Sequence, residues 1–175
     1  GKMHDTQEAG TQAKKGVKRS PRDFQADYEG AQHRDAAGWW GIPSAAFRNA
    51  MIDACRLTTP PFKMTLAKLT IFTEADGIDP NSATPLTKIT KGEPRYFEIP
   101  ARNDNGSCDL RVRALWDAGW EAKVRMRWDA DQFTAEDVAN LLTRVGLQVG
   151  VGEGRPFSRN SAGMGWGHFE IVNPD

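Results

Sequence analysis

The sequence predicts an α+β fold in which two main helices cover one face of an antiparallel sheet. Three observations carry that reading: apolar residues at helical spacing over 44–56, a complete helix-start signal at Thr134 followed by a second apolar stripe, and apolar–polar alternation over 110–116 and 120–128. With 175 residues, 39% of them hydrophobic, one domain is long enough to bury a core. The expected organisation is a flexible basic arm over 1–35 and a single α+β domain over 36–175, with an excursion around 76–106.

Residues 1–35 contain no aliphatic run, their large apolar residues being Met3, Val17, Phe24 and Tyr28. Such a segment does not offset its own ordering entropy. Within it Lys14, Lys15, Lys18, Arg19 and Arg22 follow one another with no acidic residue between, as in a solvated arm or one that contacts a polyanion. Phe24 and Tyr28, four apart, are spaced to dock one short helix on the body. Next, Ser44 reads as an N-cap, and Phe47, Ala50, Met51, Ala54 and Cys55 form the buried stripe of a helix over 44–56. Thr58, Thr59, Pro60 and Pro61 end it. Bulk on both sides of 64–73 predicts an inner strand, closed by Asp76 and Gly77. A turn-rich connector over 78–85 leads to two short strands, 86–89 and 96–99, that make the excursion.

The alternation over 110–116 and 120–128 predicts a hairpin closed by Asp117, Ala118 and Gly119. Only a register with Trp116 opposite Trp120 and Val112 opposite Val124 keeps both apolar sets on one face. It also sets Arg113 opposite Lys123 and Arg111 opposite Arg125, a line of like charges relieved by solvent, by an acidic partner or by an anion.

At the second helix, Thr134 is the N-cap, Asp137 completes a capping box and Phe133 staples onto Val138. Val138, Leu141, Leu142 and Val145 make its buried stripe, and Gly146 is read as its stop. Asp129, Asp131 and Glu136 suit the positive end of the helix dipole and do not have the spacing of a calcium loop. The run GLQVGVGEGRPFSRNSAGMGWG holds seven glycines, yet spells neither a P-loop nor a dinucleotide fingerprint. Gly150, Gly152 and Gly154 let backbone approach a ligand, with Arg155 and Arg159 supplying charge. Residues 166–172 read as a closing strand with His168 exposed.

This order of helix, strand, excursion, hairpin, helix, glycine-rich loop and strand becomes a ferredoxin-like (RRM-like) arrangement once a strand precedes the first helix. That strand is expected upstream of Gly1 or from another segment; the alternative is a smaller α+β sheet without it. The segment GIPSAAFRNAMIDACR, 41–56, resembles the Gly-Ile-Pro-Ser helix start of the repeat-associated RNA-binding superfamily, the backbone subunits of CRISPR effector complexes. The segment GVGEGRPFSRNSAGMGWGHFEI, 150–171, resembles their terminal glycine-rich loop and closing strand. Together the two matches span about a fifth of the chain. The whole chain also resembles small proteins encoded by phages and prophages. The superfamily resemblance implies a ferredoxin-like core, binding of RNA or single-stranded nucleic acid, and repeated side-by-side subunits.

Lysines plus arginines and aspartates plus glutamates both number 23, so the chain as a whole has no electrostatic pull on a polyanion. A nucleic-acid site must be local, and Arg111, Arg113, Lys123, Arg125 and Arg127 are the first candidates. Arg155 and Arg159 from the glycine-rich loop and Lys14, Lys15, Lys18 and Arg19 from the arm extend that set. Cys55 and Cys108 are too few for a disulfide framework and are expected as free thiols. No apolar run is long enough to span a bilayer, and the expected setting is cytoplasmic, that of a phage-infected bacterial cell. His4, His33 and His168 form no recognisable metal or acid–base pattern, so no catalytic residue, metal or cofactor is expected. The functional expectation is non-catalytic binding of single-stranded nucleic acid or RNA by a homo-oligomer or larger assembly. The competing one is a phage structural or assembly protein that binds other subunits, because Trp39, Trp40, Trp116, Trp120, Trp128 and Trp166 suit protein interfaces as well as base stacking.

Overall fold

In the computed structural model, residues 21–157 and 163–172 are described. Among them the chain is α+β, with helices α1 (Phe24–Gly30), α2 (Ser44–Ala54), α3 (Met64–Thr70) and α4 (Ala135–Arg144). The strands are β1 (Gly41–Pro43), β2 (Ile71–Glu74), β3 (Gly77–Ile78), β4 (Pro85–Lys91), β5 (Arg95–Arg102), β6 (Cys108–Leu115), β7 (Glu121–Ala122) and β8 (Arg125–Trp128). They pair, always antiparallel, as β1-β4-β3 with β7 on β4, as β2 with β8, and as a β5–β6 ribbon. No described helix is long and apolar enough to cross a membrane.

Helix α2 is the shared element. The expected stripe of Phe47, Ala50, Met51, Ala54 and Cys55 is buried, joined by Ile52. Burying each large side chain is worth about 1.5–3 kcal/mol, so this one helix contributes much of the core. Ser44, read as its cap, is instead its first helical residue, with Pro43 in the capping position. Its buried hydroxyl sits 3.0 Å from that of Thr87, while the Thr73 hydroxyl donates to its carbonyl at 2.8 Å. Those bonds tie α2 to β4 and β2. Helix α4 has the predicted start: Thr134 accepts from the Asp137 N–H at 3.1 Å, and the Asp137 carboxylate accepts from the Thr134 N–H at 2.9 Å. Phe133, Val138, Leu141 and Val145 are buried against α2, and Leu142 packs at the edge.

Four expectations are corrected. Residues 64–73 are not one strand: Met64–Thr70 is helix, and only Ile71–Glu74 is extended. The sequence MTLAKLT is rich in helix formers; Ala67 faces the core and Leu69, expected inside, is 71% exposed. The hairpin of 110–116 with 120–128 does not form. β6 pairs with the preceding β5, placing Val112 opposite Glu98, whereas β7 joins β4 and β8 joins β2. Trp116 and Trp120 gather instead on Gly92, where an added Cβ would lie 3.3–3.4 Å from both. Gly146 does not stop α4, because the chain continues through a wider π-helical turn, Val145–Val149, to Gly150 at φ 74°. Residues 166–172 form no strand; they lie along that turn through single backbone bonds, Phe169 N–H to Gly146 and the Val151 N–H to Gly167, each 3.1 Å.

Of the expected arm, 1–20 lie outside the described residues. Helix α1 and the residue that leads into it rest on the body: the Tyr28 hydroxyl donates to the Pro94 carbonyl at 3.1 Å and its ring meets Tyr96 at 5.6 Å. Arg22 bridges Asp27 and Asp109 at 2.6 and 3.1 Å. Phe24, expected to help dock this helix, is instead 40% exposed under the Arg22 guanidinium.

Candidate nucleic-acid interface

A groove of about 1000 Å³ runs between three walls. Helix α2 supplies one through Ala46, Asn49 and Asp53, spaced so that they share a face. The β5–β6 ribbon supplies the second. Its alternation sends Arg95, Phe97 and Ile99 to the side shared by Arg111, Arg113 and Leu115, since Phe97 is opposite Arg113 and Ile99 opposite Arg111. The third wall is the glycine-rich segment, Gly150–Arg155 with 165–168. Trp116 and Trp120 line it as well.

Glycine is required where that third wall folds on itself. Gly150, Gly152 and Gly154 take φ of 74°, 82° and 78°, and a Cβ on Gly154 would sit 2.7 Å from the Trp166 ring. Trp166 in turn meets Phe97 edge-on at 5.8 Å, which joins the glycine-rich wall to the ribbon. The indole N–H of Trp116 is buried without a hydrogen-bond partner among the described residues.

The groove's cations are paired. Arg95 donates to both Asp117 oxygens, at 2.8 and 3.1 Å, which raises the arginine and lowers the carboxyl from their ordinary pKa values. Arg113 on the ribbon pairs with Glu153 on the glycine-rich loop and donates to the Val112 carbonyl at 3.0 Å. Arg155 donates to the Gly152 carbonyl at 3.0 Å. His33, at the rim, has Nδ1 3.3 Å from Asp79. Asp79 is buried, and its pKa is lowered first by the Asn81 N–H, which donates at 2.9 Å, and then by His33. Three arginines, Arg95, Arg113 and Arg155, thus face three carboxylates, Asp53, Asp117 and Glu153.

The structure divides the basic residues read as one face. Arg111 and Arg113 lie on β6, and only Arg113 and Arg155 line the groove. Lys123 falls between β7 and β8, while Arg125 and Arg127 sit on the outward side of β8 opposite Glu74 and Phe72. Arg125 is held by Asp76 at 2.9 Å and Glu74 at 3.8 Å; the Arg127 guanidinium lies 4.8 Å from the Phe72 ring centre, with Arg48 5.0 Å from the same ring. The predicted line of opposed like charges is therefore absent, because the two strands belong to different sheets. Gly150 and Gly152 line the groove, whereas Gly154 is buried against the Trp166 ring. Arg159, Lys14, Lys15, Lys18 and Arg19 lie outside the described residues. Sequence reasoning missed Arg95, Phe97, Asp117 and Glu153; the alternation of Arg95, Phe97 and Ile99 was the available signal.

Both cysteines are free thiols, Cys108 exposed and Cys55 buried with its pKa raised chiefly by desolvation and then by Asp53. Among the described residues no cluster of histidine, cysteine and carboxylate side chains is placed to hold a metal ion. No family model matches the chain, and neither the curated proteins nor the solved structures compared with it include a match.

Proposed function

We propose that this chain binds RNA or single-stranded nucleic acid in the groove between α2, the β5–β6 ribbon and the glycine-rich loop. The observation that carries the reading is the meeting, in one open groove, of aromatic rings and arginines: Trp116, Trp120, Trp166 and Phe97 with Arg95, Arg113 and Arg155. Bases stack on exposed rings at about 1–3 kcal/mol each, and guanidiniums match phosphate oxygens in pairs. The glycine-rich wall adds backbone that a ligand approaches closely. The resemblance to the repeat-associated RNA-binding superfamily, with its ferredoxin-like core and side-by-side subunits in a phage-infected cell, belongs to the same proposal.

The test is labelled oligonucleotide binding at several salt concentrations, with Arg113→Gln and Arg125→Gln compared. Arg113→Gln is expected to weaken binding and flatten the salt slope by about 0.7 for one lost phosphate contact. Arg125→Gln is expected to behave as the parent, since Glu74 and Asp76 already hold that side chain on another sheet. Equal losses would remove the groove from the reading.

One observation favours a second reading, a protein-binding groove for assembly. The arginines and carboxylates lining the groove balance, and a neutral, aromatic-rich cleft also suits a protein partner. No oligonucleotide binding at low salt, with self-association seen by light scattering, would select it.

A further inference from the structure

We propose that Glu153 sets the affinity of the groove for a phosphodiester backbone, by holding the Arg113 guanidinium until a phosphate takes the carboxylate's place. The inference rests on the nucleic-acid reading of the groove and names the residue that tunes it.

Arg113 and Glu153 come from different walls, the ribbon and the glycine-rich loop, so their ion pair spans the groove. A carboxylate and a phosphate present the same pair of oxygens to a guanidinium fork, so either one satisfies Arg113. Both side chains are open to solvent, at 37% and 45% exposure, and an incoming anion reaches the pair without unpacking the core. An exposed pair of this kind contributes little to stability, which keeps the exchange inexpensive.

Arg95 differs. Its carboxylate, Asp117, lies just past the end of β6 on the same wall, where the bidentate pair braces the base of the ribbon. Displacing Glu153 instead loosens one tie between ribbon and loop, while the Phe97–Trp166 contact remains. Of the two groove arginines held by carboxylates, Arg113 is thus the one that a ligand recruits at the smaller structural cost.

The experiment measures anisotropy of a fluorescently labelled oligouridylate from low to moderate salt, with the parent chain, Glu153→Gln, Arg113→Gln, the Arg113→Gln/Glu153→Gln double variant, and Glu136→Gln on α4 as a charge-matched control outside the groove. Glutamine keeps the loop's hydrogen-bonding capacity, and circular dichroism checks the fold. Glu153→Gln is expected to bind about two- to fivefold tighter, the worth of an exposed ion pair, with a salt slope close to the parent's because Arg113 makes the same phosphate contact in both. Glu136→Gln should match the parent, and in the Arg113→Gln background the Glu153 change should have no effect. Parent binding with no gain in Glu153→Gln, a gain that survives loss of Arg113, or an equal gain in Glu136→Gln overturns the inference and leaves the groove reading standing. Absence of parent binding at low salt overturns both.

Discussion

Replacing Gly146 by alanine is expected to detach the segment that forms the groove's third wall. A Cβ at this position would lie 2.1 Å from the Phe169 carbonyl oxygen and 3.0 Å from its carbon and its ring. Phe169 must then retreat by more than an ångström to reach van der Waals distance. That retreat breaks the Phe169 N–H bond to Gly146 at 3.1 Å and withdraws the ring from Phe47, its edge-on neighbour at 5.9 Å. Overpacking costs about 1–3 kcal/mol, the hydrogen bond and the aromatic pair about 1 kcal/mol each, and alanine in a helical turn returns about 0.5–1 kcal/mol over glycine. The net expectation is a loss of about 2–4 kcal/mol, or roughly 5–15 °C in Tm for a chain of this size. Gly30→Ala is the reference, because a Cβ there meets nothing within 4 Å and its φ is not in the left-handed region. Urea unfolding followed by tryptophan fluorescence and by circular dichroism measures both variants, with Trp166 reporting on the wall itself. A Gly146→Ala protein as stable as Gly30→Ala would refute the packing of 166–169 on the π-helical turn.

Thr134→Ala removes the side-chain acceptor from the capping box of α4 and is expected to cost about 1 kcal/mol by urea denaturation; Thr134→Ser should restore most of it. Asp79 has its folded pKa below the ordinary 3.8, so its contribution is complete above that value and is lost as pH falls through the folded pKa. In acid titrations followed by circular dichroism, Asp79→Asn should therefore flatten the fall in stability on the acid side of 3.8; an unchanged acid limb would refute the role given to the Asn81 N–H and His33.

Local signals in the sequence were legible, and pairings between distant segments were not. The Thr134–Asp137 box and the stripe from Phe47 to Cys55 are written within a few residues of one another, and both helices stand where that spacing puts them. The alternation of 110–116 and 120–128 likewise marks real strands. Their partners could not be read, because adjacent strands joined by a turn-like Asp117–Ala118–Gly119 resemble a hairpin whether or not they pair. The Arg95–Asp117 pair and the seat of both tryptophans on Gly92 decide the matter through residues more than twenty positions upstream. The candidate site suffered most from this, since dividing the arginines between β6 and β8 left Arg113 and Arg155 in the groove and took Arg125 and Arg127 out of it. Glu153 carried no sequence signal beyond its place among glycines; its importance comes from an ion pair spanning forty residues.

The pairing of β2 with β8 joins segments more than fifty residues apart in the chain. At about 5–20 residues per second, a ribosome needs roughly 3–10 s to make the second strand after the first. Throughout that interval Ile71 has no strand to cover it, and β2 offers an open edge to any neighbouring nascent chain. The β5–β6 ribbon, closed by a short loop, is complete only about ten residues before β8 begins, and a two-stranded unit is marginal alone. The body of the protein is therefore expected to consolidate late, when β8 and then α4 emerge and close over α2, and to depend on dilute or chaperoned conditions until they do.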